Sequence, residues 1–257
     1  DLGPDKPAGY TRAKAEALLA QYPAEDIPAD KKVNVIAVLL EAYTDLTVYP
    51  QLWITEGEND PYAFFHRLQG ESIHGDLITN IFAGGTIDTE RCFLAGSLDL
   101  YDYRVPADTY ARWFGAQGYT TTFAHAGYSW FYNRVNVAEY QGFQESYFSD
   151  GWFENFCDTV IPEDSVFFPK LLDLYHARLE QGKPYFNFSV TYQNHGPYPS
   201  DFFFDPYTVL LDSTGMSLES YRILTNYLHG IRKTDAALER FIETLRGETE
   251  PVVVVLF

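Results

Sequence analysis

Val33-Asn34-Val35-Ile36-Ala37-Val38-Leu39-Leu40 is a nearly continuous apolar run. A strand buried on both faces reads this way, because neither of its alternating sides meets water. Comparable runs recur at Tyr119 to Ala124, Tyr185 to Thr191 and Pro251 to Phe257. Between them, helical patterns fall at Ala107 to Ala116, Glu163 to Gln181 and Leu218 to Arg246. Strands alternating with helices predict an α/β fold with a mainly parallel sheet covered on both faces. Ahead of these elements, Thr11 to Gln21 reads as a short amphipathic helix followed by a Pro-rich turn, so residues 1–31 form a helical lead-in.

The chain of 257 residues, 46% apolar and 17% aromatic, is long enough to bury a large core as one globular domain. Acidic residues outnumber basic ones 36 to 18, giving a net charge of -18. That balance argues against nucleic acid as a partner and against an electrostatic grip on an anionic bilayer surface. An anionic substrate needs a local cation or metal. Cys92 and Cys157 fit neither a CxxC metal pattern nor a disulfide framework and are read as packed thiols. No run approaches the length of a membrane span, and Asp1 to Asp5 lack the features of a signal peptide. The chain as given is expected to be soluble; composition leaves open whether targeting segments lie outside it.

In a parallel sheet, ligands bind beyond the carboxyl ends of the strands. The polar residues directly after the apolar runs are Glu41, His125 and Gln193-Asn194-His195. Gly84-Gly85-Thr86-Ile87-Asp88-Thr89-Glu90 also follows an apolar stretch, Leu77 to Phe82, and its glycines deliver Thr86 to a helix start. There the amides and helix dipole favour an alkoxide or phosphate, so Thr86 is a candidate nucleophile; a simple helix cap is the alternative. Glu41 is a candidate metal ligand, against the alternative of a solvated loop acid. A divalent ion would lower the proton affinity of the threonine hydroxyl. Gly196-Pro197 turns the chain after His195, which is read as an unpaired imidazole suited to binding a phosphate or a leaving hydroxyl. His66, His74, His176 and His229 are assigned to surface or packing roles. Asp235 interrupts the apolar stripe of the last helix and is read as a structural tie to a neighbouring loop.

A further block, His125-Ala126-Gly127-Tyr128-Ser129-Trp130-Phe131-Tyr132-Asn133-Arg134, is an aromatic cluster ending in an arginine. Its aromatic residues are expected in the core. Arg134 is a candidate for bidentate phosphate binding, with a surface salt bridge as the alternative.

Together these blocks resemble the lipoteichoic acid synthase family, phosphoglycerol transferases of the alkaline phosphatase and sulfatase superfamily. The resemblance runs from about Lys32 to Phe257 and takes in Leu39-Leu40-Glu41, the Gly84 to Glu90 segment, the His125 to Arg134 block and Gln193-Asn194-His195-Gly196-Pro197-Tyr198. It implies an alkaline phosphatase-like α/β/α sandwich over residues 32–257. It also implies that Glu41 and Thr86 ligate manganese or magnesium, with Thr86 also the nucleophile. Arg134, His195, His125 and Tyr132 then line the substrate pocket; Tyr132 stands where other members place a tryptophan.

The implied reaction is attack on the phosphorus of phosphatidylglycerol, followed by transfer of glycerophosphate to a polymer end or another acceptor hydroxyl. The implied setting is the outer face of a bacterial cell membrane, in cell-wall biogenesis, with anchoring by segments outside this chain. The family's remaining metal ligands lie in a Gly-Asp-His segment after the strand that here ends at Phe257. The fold is thus expected to be truncated at its C-terminal end, with weak or absent metal binding and no activity in residues 1–257 alone. A phosphoethanolamine transferase remains an alternative. So does a sulfatase, although Cys92-Phe93-Leu94-Ala95-Gly96 lacks the Pro and Arg of a formylglycine segment. A catalytically silent glycerophosphate-binding module is the third.

Overall fold

The computed structural model of the protein describes residues 6–52, 54, 59–78, 84–96, 105–204 and 215–257. Its centre is a five-stranded sheet in which every pairing is parallel, in the order β3-β2-β4-β1-β5. The strands are β1 (Asn34–Leu39), β2 (Thr120–His125), β3 (Glu145–Phe148), β4 (Tyr185–Val190) and β5 (Val252–Leu256). β1, β2 and β4 occupy the interior positions, and their residues are almost all buried. The alkaline phosphatase-like α/β arrangement expected from the sequence is the one observed.

The alternation of side chains along a strand distributes them to two packed layers. Ile36 and Val38 of β1 join one core with Phe167, Phe168 and Phe241, on the side of helices α6 (Asp164–Leu179) and α7 (Leu218–Arg246). Ala37 and Leu39 join the other with Leu94, Ala111 and Ala138, from helices α3 (Thr86–Ala95), α4 (Tyr110–Ala116) and α5 (Arg134–Gln141). The sheet is therefore sandwiched between helices. On the α6/α7 side, β4 carries the polar Asn187 and Ser189 without cost, because Asn187 Nδ2 donates to Thr122 Oγ1 at 2.9 Å and Ser189 Oγ donates to Asn187 Oδ1 at 2.5 Å.

Several expectations need correction. The helix expected over Thr11 to Gln21 is α1 (Arg12–Leu19): Thr11 is its cap, accepting from Lys14 N, and the helix buries none of its residues. Helix α4 begins at Tyr110 rather than Ala107, because Thr109 Oγ1 accepts from Arg112 N and fixes the start. β2 extends through His125, which is therefore the last strand residue and not the first beyond it. Leu77 and Ile78 are exposed and outside any strand, while the rest of the Leu77 to Phe82 stretch lies outside the described residues. Helix α2 (Ala63–Glu71), α5 and β3 carry no strong periodic signal of their own in the sequence.

The tie predicted for Asp235 is present. From α7 its carboxylate accepts the Phe64 and Phe65 N–H groups at 2.8 and 2.9 Å, capping α2, and also the Tyr43 hydroxyl at 3.1 Å. Among the described residues no helix is long and apolar enough to cross a membrane.

Candidate active site

Beyond β1 the chain runs through Leu40 to Glu41 and then turns at Ala42, whose φ is 53°. The Glu41 N–H donates to Thr191 Oγ1 at 2.9 Å, lashing together the ends of neighbouring β1 and β4. Glu41 is only 7% exposed, so it is a buried acid and not a solvated loop residue. Burial raises its pKa, opposed by the hydrogen bond from Thr86 and by the positive potential of His195 and Arg134. A buried carboxylate of this kind calls for a cation or a donor opposite it.

Gly84 and Gly85 hold φ values of 87° and 83°, the left-handed conformation that glycine adopts without strain. Gly85 takes the cap position of α3, so Thr86 is the first helical residue rather than the cap. Its hydroxyl is turned to a different partner. Thr86 Oγ1 donates to Glu41 Oε1 at 2.8 Å. No side-chain cap bond closes this helix start, which leaves the positive end of the helix dipole beside the hydroxyl.

One helical turn further, Glu90 shares the face of Thr86 and forms an ion pair with Arg134. Arg134 opens α5 directly after Tyr132 and Asn133, two residues with left-handed φ of 55° and 56°. It is 3% exposed, so the pair is buried instead of lying on the surface. Burial pushes the Glu90 pKa up while Arg134 opposes the rise. Arg134 Nε has no hydrogen-bond partner among the described residues. The guanidinium therefore keeps an uncommitted donor, as an oxyanion ligand requires.

His195 sits in the loop after β4, and its Nδ1 lies 2.6 Å from its neighbour's carbonyl, Gly196 O. The ring is not unpaired as the sequence suggested: Nδ1–H donates there, and in the neutral ring Nε2 is left as the acceptor. The imidazole stacks on Tyr192 with centroids 4.7 Å apart and an interplanar angle of 11°. Behind it, Gln193 Nε2 and Asn194 Nδ2 both reach Thr234 Oγ1 of α7, at 3.0 and 2.9 Å, and Thr234 in turn donates to Asp164 at 2.5 Å. Gly230 makes room for this clamp, since a Cβ there would stand 2.6 Å from Asn194 Oδ1.

His125 is buried, with Nδ1 3.1 Å from Val190 O and its ring edge against Tyr192. Desolvation, reinforced by Arg134, pulls its pKa down to about 3, so the ring is neutral at physiological pH. Gly127 passes so close that a Cβ would stand 2.3 Å from His125 Nε2. The aromatic block beyond it is not core: Tyr128, Trp130, Phe131 and Tyr132 are all exposed, and the Arg134 guanidinium lies 5.9 Å from the Tyr132 ring centre.

Glu41 thus lies within electrostatic reach of Arg134 and His195, and His125 within reach of the same two. The sequence-nominated residues meet at one end of the sheet. Those it missed are Glu90, Asp164, Thr234 and Gly230. Only Glu90 had a signal, its place four residues after Thr86.

Glu41 and Thr86 offer two hard oxygen donors, the type that Mg²⁺ and Mn²⁺ accept. Among the described residues no three His, Cys, Asp or Glu side chains gather as a metal site. The described donors fit one side of a divalent ion and do not enclose it.

The parallel central sheet packed between helices is consistent with the alkaline phosphatase-like fold. The chain belongs to the sulfatase family, whose model matches residues 34–257. A putative cyclic beta-1,2-glucan modification protein of Rhizobium meliloti (strain 1021) is 25% identical over 265 residues, covering 98% of this chain and 39% of its own length. The phosphoglycerol transferase GacH of Streptococcus pyogenes, solved in complex with sn-glycerol-1-phosphate, superposes with a TM-score of 0.74 at 20% identity, over 98% of this chain and 69% of that one. The lipoteichoic acid synthase LtaP of Listeria monocytogenes gives 0.69 at 19% identity, over 88% of this chain and 55% of that one. At these identities the structural likeness establishes the fold. The chain spans about two fifths of the length of its curated relative.

Proposed function

We propose that residues 32–257 are part of a phosphoglycerol transferase in which Thr86 is the nucleophile, with residues 1–31 as a lead-in. The observation that carries this reading is the 2.8 Å hydrogen bond from Thr86 Oγ1 to Glu41, made at a helix start beside Arg134. Glu41 orients the hydroxyl and draws on its proton. The helix dipole favours the charge that develops on Oγ1 as it attacks the phosphorus of phosphatidylglycerol. The Thr86 oxygen–phosphorus bond forms, the bond from phosphorus to the diacylglycerol oxygen breaks, and diacylglycerol leaves as the alcohol with the proton that Thr86 gave up to Glu41. An acceptor hydroxyl then attacks the same phosphorus and restores Thr86.

Arg134 supplies a fixed positive charge and a free Nε donor for the non-bridging phosphate oxygens. His195, stacked on Tyr192, is placed to accept from a headgroup hydroxyl through Nε2. His125 is a positioning residue that braces Tyr192, and Tyr132 walls the pocket next to Arg134. Glu41 and Thr86 would hold Mn²⁺ or Mg²⁺ from one side. When bound, the ion supplies charge that lowers the proton affinity of the Thr86 hydroxyl.

The GacH complex with sn-glycerol-1-phosphate supports a glycerophosphate headgroup. The glucan-modifying relative supports a sugar hydroxyl as acceptor, alongside the glycerophosphate polymer of lipoteichoic acid synthesis. The setting that fits is the outer face of a bacterial cell membrane. The test is transfer by the full-length protein from phosphatidylglycerol and, separately, phosphatidylethanolamine, with Thr86→Ala as control. Turnover with the first donor that vanishes in Thr86→Ala supports the reading; preference for the second moves it to phosphoethanolamine transfer.

A further inference from the structure

Tyr128 to Asn133 carry four aromatic side chains. Their rings are exposed, Trp130 by 65%, yet their backbone is firmly held. Ser129 donates to Asp150 twice, from N at 2.7 Å and from Oγ at 2.6 Å. Asn133 N donates to Trp130 O at 2.9 Å, and Val135 N to Ser129 O at 3.1 Å. Tyr132 and Asn133, both with side chains, are kept in the left-handed region, a conformation that costs free energy and clusters at ligand clamps. Ordering a loop to display aromatic rings to water gives the isolated protein nothing. It prepares a surface.

The shape of that surface suits one ligand class. Tyr128 backs the Trp130 indole with centroids 5.5 Å apart and an interplanar angle of 28°, leaving a broad exposed face. Phe131 meets the indole edge-on and Tyr132 continues the row to Arg134. At the inner end, Tyr128 and Tyr132 lie near enough to Tyr192 to act on its hydroxyl electrostatically, so the row adjoins the pocket of Glu41 and His195. Residues 128–133 contain no charged side chain, and the chain carries a net charge of -18. Arg134, at the inner end, serves the donor phosphate; outward from it a polyanionic glycerophosphate chain would find no cation along residues 128–133 and a repulsive field around them. The apolar face of a pyranose ring stacks on an indole, and its equatorial hydroxyls meet phenol and amide groups at the rim.

We propose that the Tyr128–Tyr132 row is a carbohydrate subsite, in which Trp130 stacks on a pyranose ring of a neutral glycan. This deepens the transferase reading: the subsite holds the acceptor whose hydroxyl takes the glycerophosphate. Glycan binding itself needs no turnover and is tested directly. Calorimetry with a short linear gluco-oligosaccharide should show saturable binding that weakens by about tenfold or more in Trp130→Ala and is largely kept in Trp130→Phe, with circular dichroism unchanged in both. Thr86→Ala should bind the glycan as the wild type does. Glycan affinity unaltered by Trp130→Ala overturns the proposal, as does wild-type preference for a glycerophosphate oligomer over the glycan. Transfer that survives in Thr86→Ala would overturn the nucleophile reading while leaving the glycan result standing.

Discussion

Thr86 Oγ1 and Glu41 Oε1 are joined by a 2.8 Å hydrogen bond that spans 45 positions of sequence and links the start of α3 to the end of β1. The bond couples a hydroxyl to the buried carboxylate whose pKa burial has raised. Glu41→Gln keeps an acceptor for Thr86 but removes the charge. Transfer by the full-length protein should fall by about a hundredfold or more, the scale lost when an oriented charge-stabilising group is removed. The fold should not suffer: a raised carboxyl pKa means stability that is full below pH 4.5 and lost as pH rises through the folded value, a loss Gln does not incur. Steady-state kinetics and thermal melting near neutral pH check both.

The buried pair of Glu90 and Arg134 should behave asymmetrically. Glu90→Ala strands the guanidinium in the interior and should cost about 3–5 kcal/mol, read as a lowered midpoint in urea unfolding. Inorganic phosphate should recover part of that loss by pairing with Arg134. Recovery absent at saturating phosphate would remove Arg134 from the phosphate site.

His125 and Asp164 give opposite pH signatures. With its pKa lowered from 6.5 to about 3, folded His125 refuses a proton the unfolded chain binds, so its contribution is full above pH 6.5 and lost as pH falls toward 3. Asp164, raised from 3.8 to about 7 by burial, keeps a proton the unfolded chain has released; its contribution is full below pH 3.8 and lost as pH rises through 7. Asp164→Asn should therefore raise the melting temperature at about pH 8 and lose that advantage toward about pH 4. A uniform offset at all pH values would contradict the assignment.

Glu41 and Thr86 taken alone should hold Mn²⁺ weakly, because two oxygen donors do not enclose a divalent ion. Calorimetry should return a shallow isotherm that Glu41→Gln abolishes. Tight one-to-one binding by this chain would mean that the metal is enclosed by other donors.

The sheet was legible because the interior strands are buried on both faces: β1 is written as an apolar run, and β2 and β4 are rich in β-branched and aromatic residues. β3, at the edge and only four residues long, has no such obligation and left no trace. Thr86, Glu41, Arg134 and His195 were legible because each directly follows an apolar run or a glycine pair, or ends a distinctive block. What surrounds them was not. The Thr234 and Asp164 clamp on the His195 loop arises from α6 packing against α7, a contact over 70 positions that no local pattern encodes. The aromatic block misled for a related reason: its composition suits a core, while the loop that carries it is braced through Ser129 by the distant Asp150 with its rings outward.

The central claim is that Thr86 carries the transferred group. The most direct measurement is mass spectrometry of the full-length protein after incubation with phosphatidylglycerol and metal, acceptor withheld. The account predicts a glycerophosphate adduct on the peptide containing Thr86 and none in Thr86→Ala. An unmodified Thr86 in a protein that still turns over, or an adduct on another residue, would contradict it.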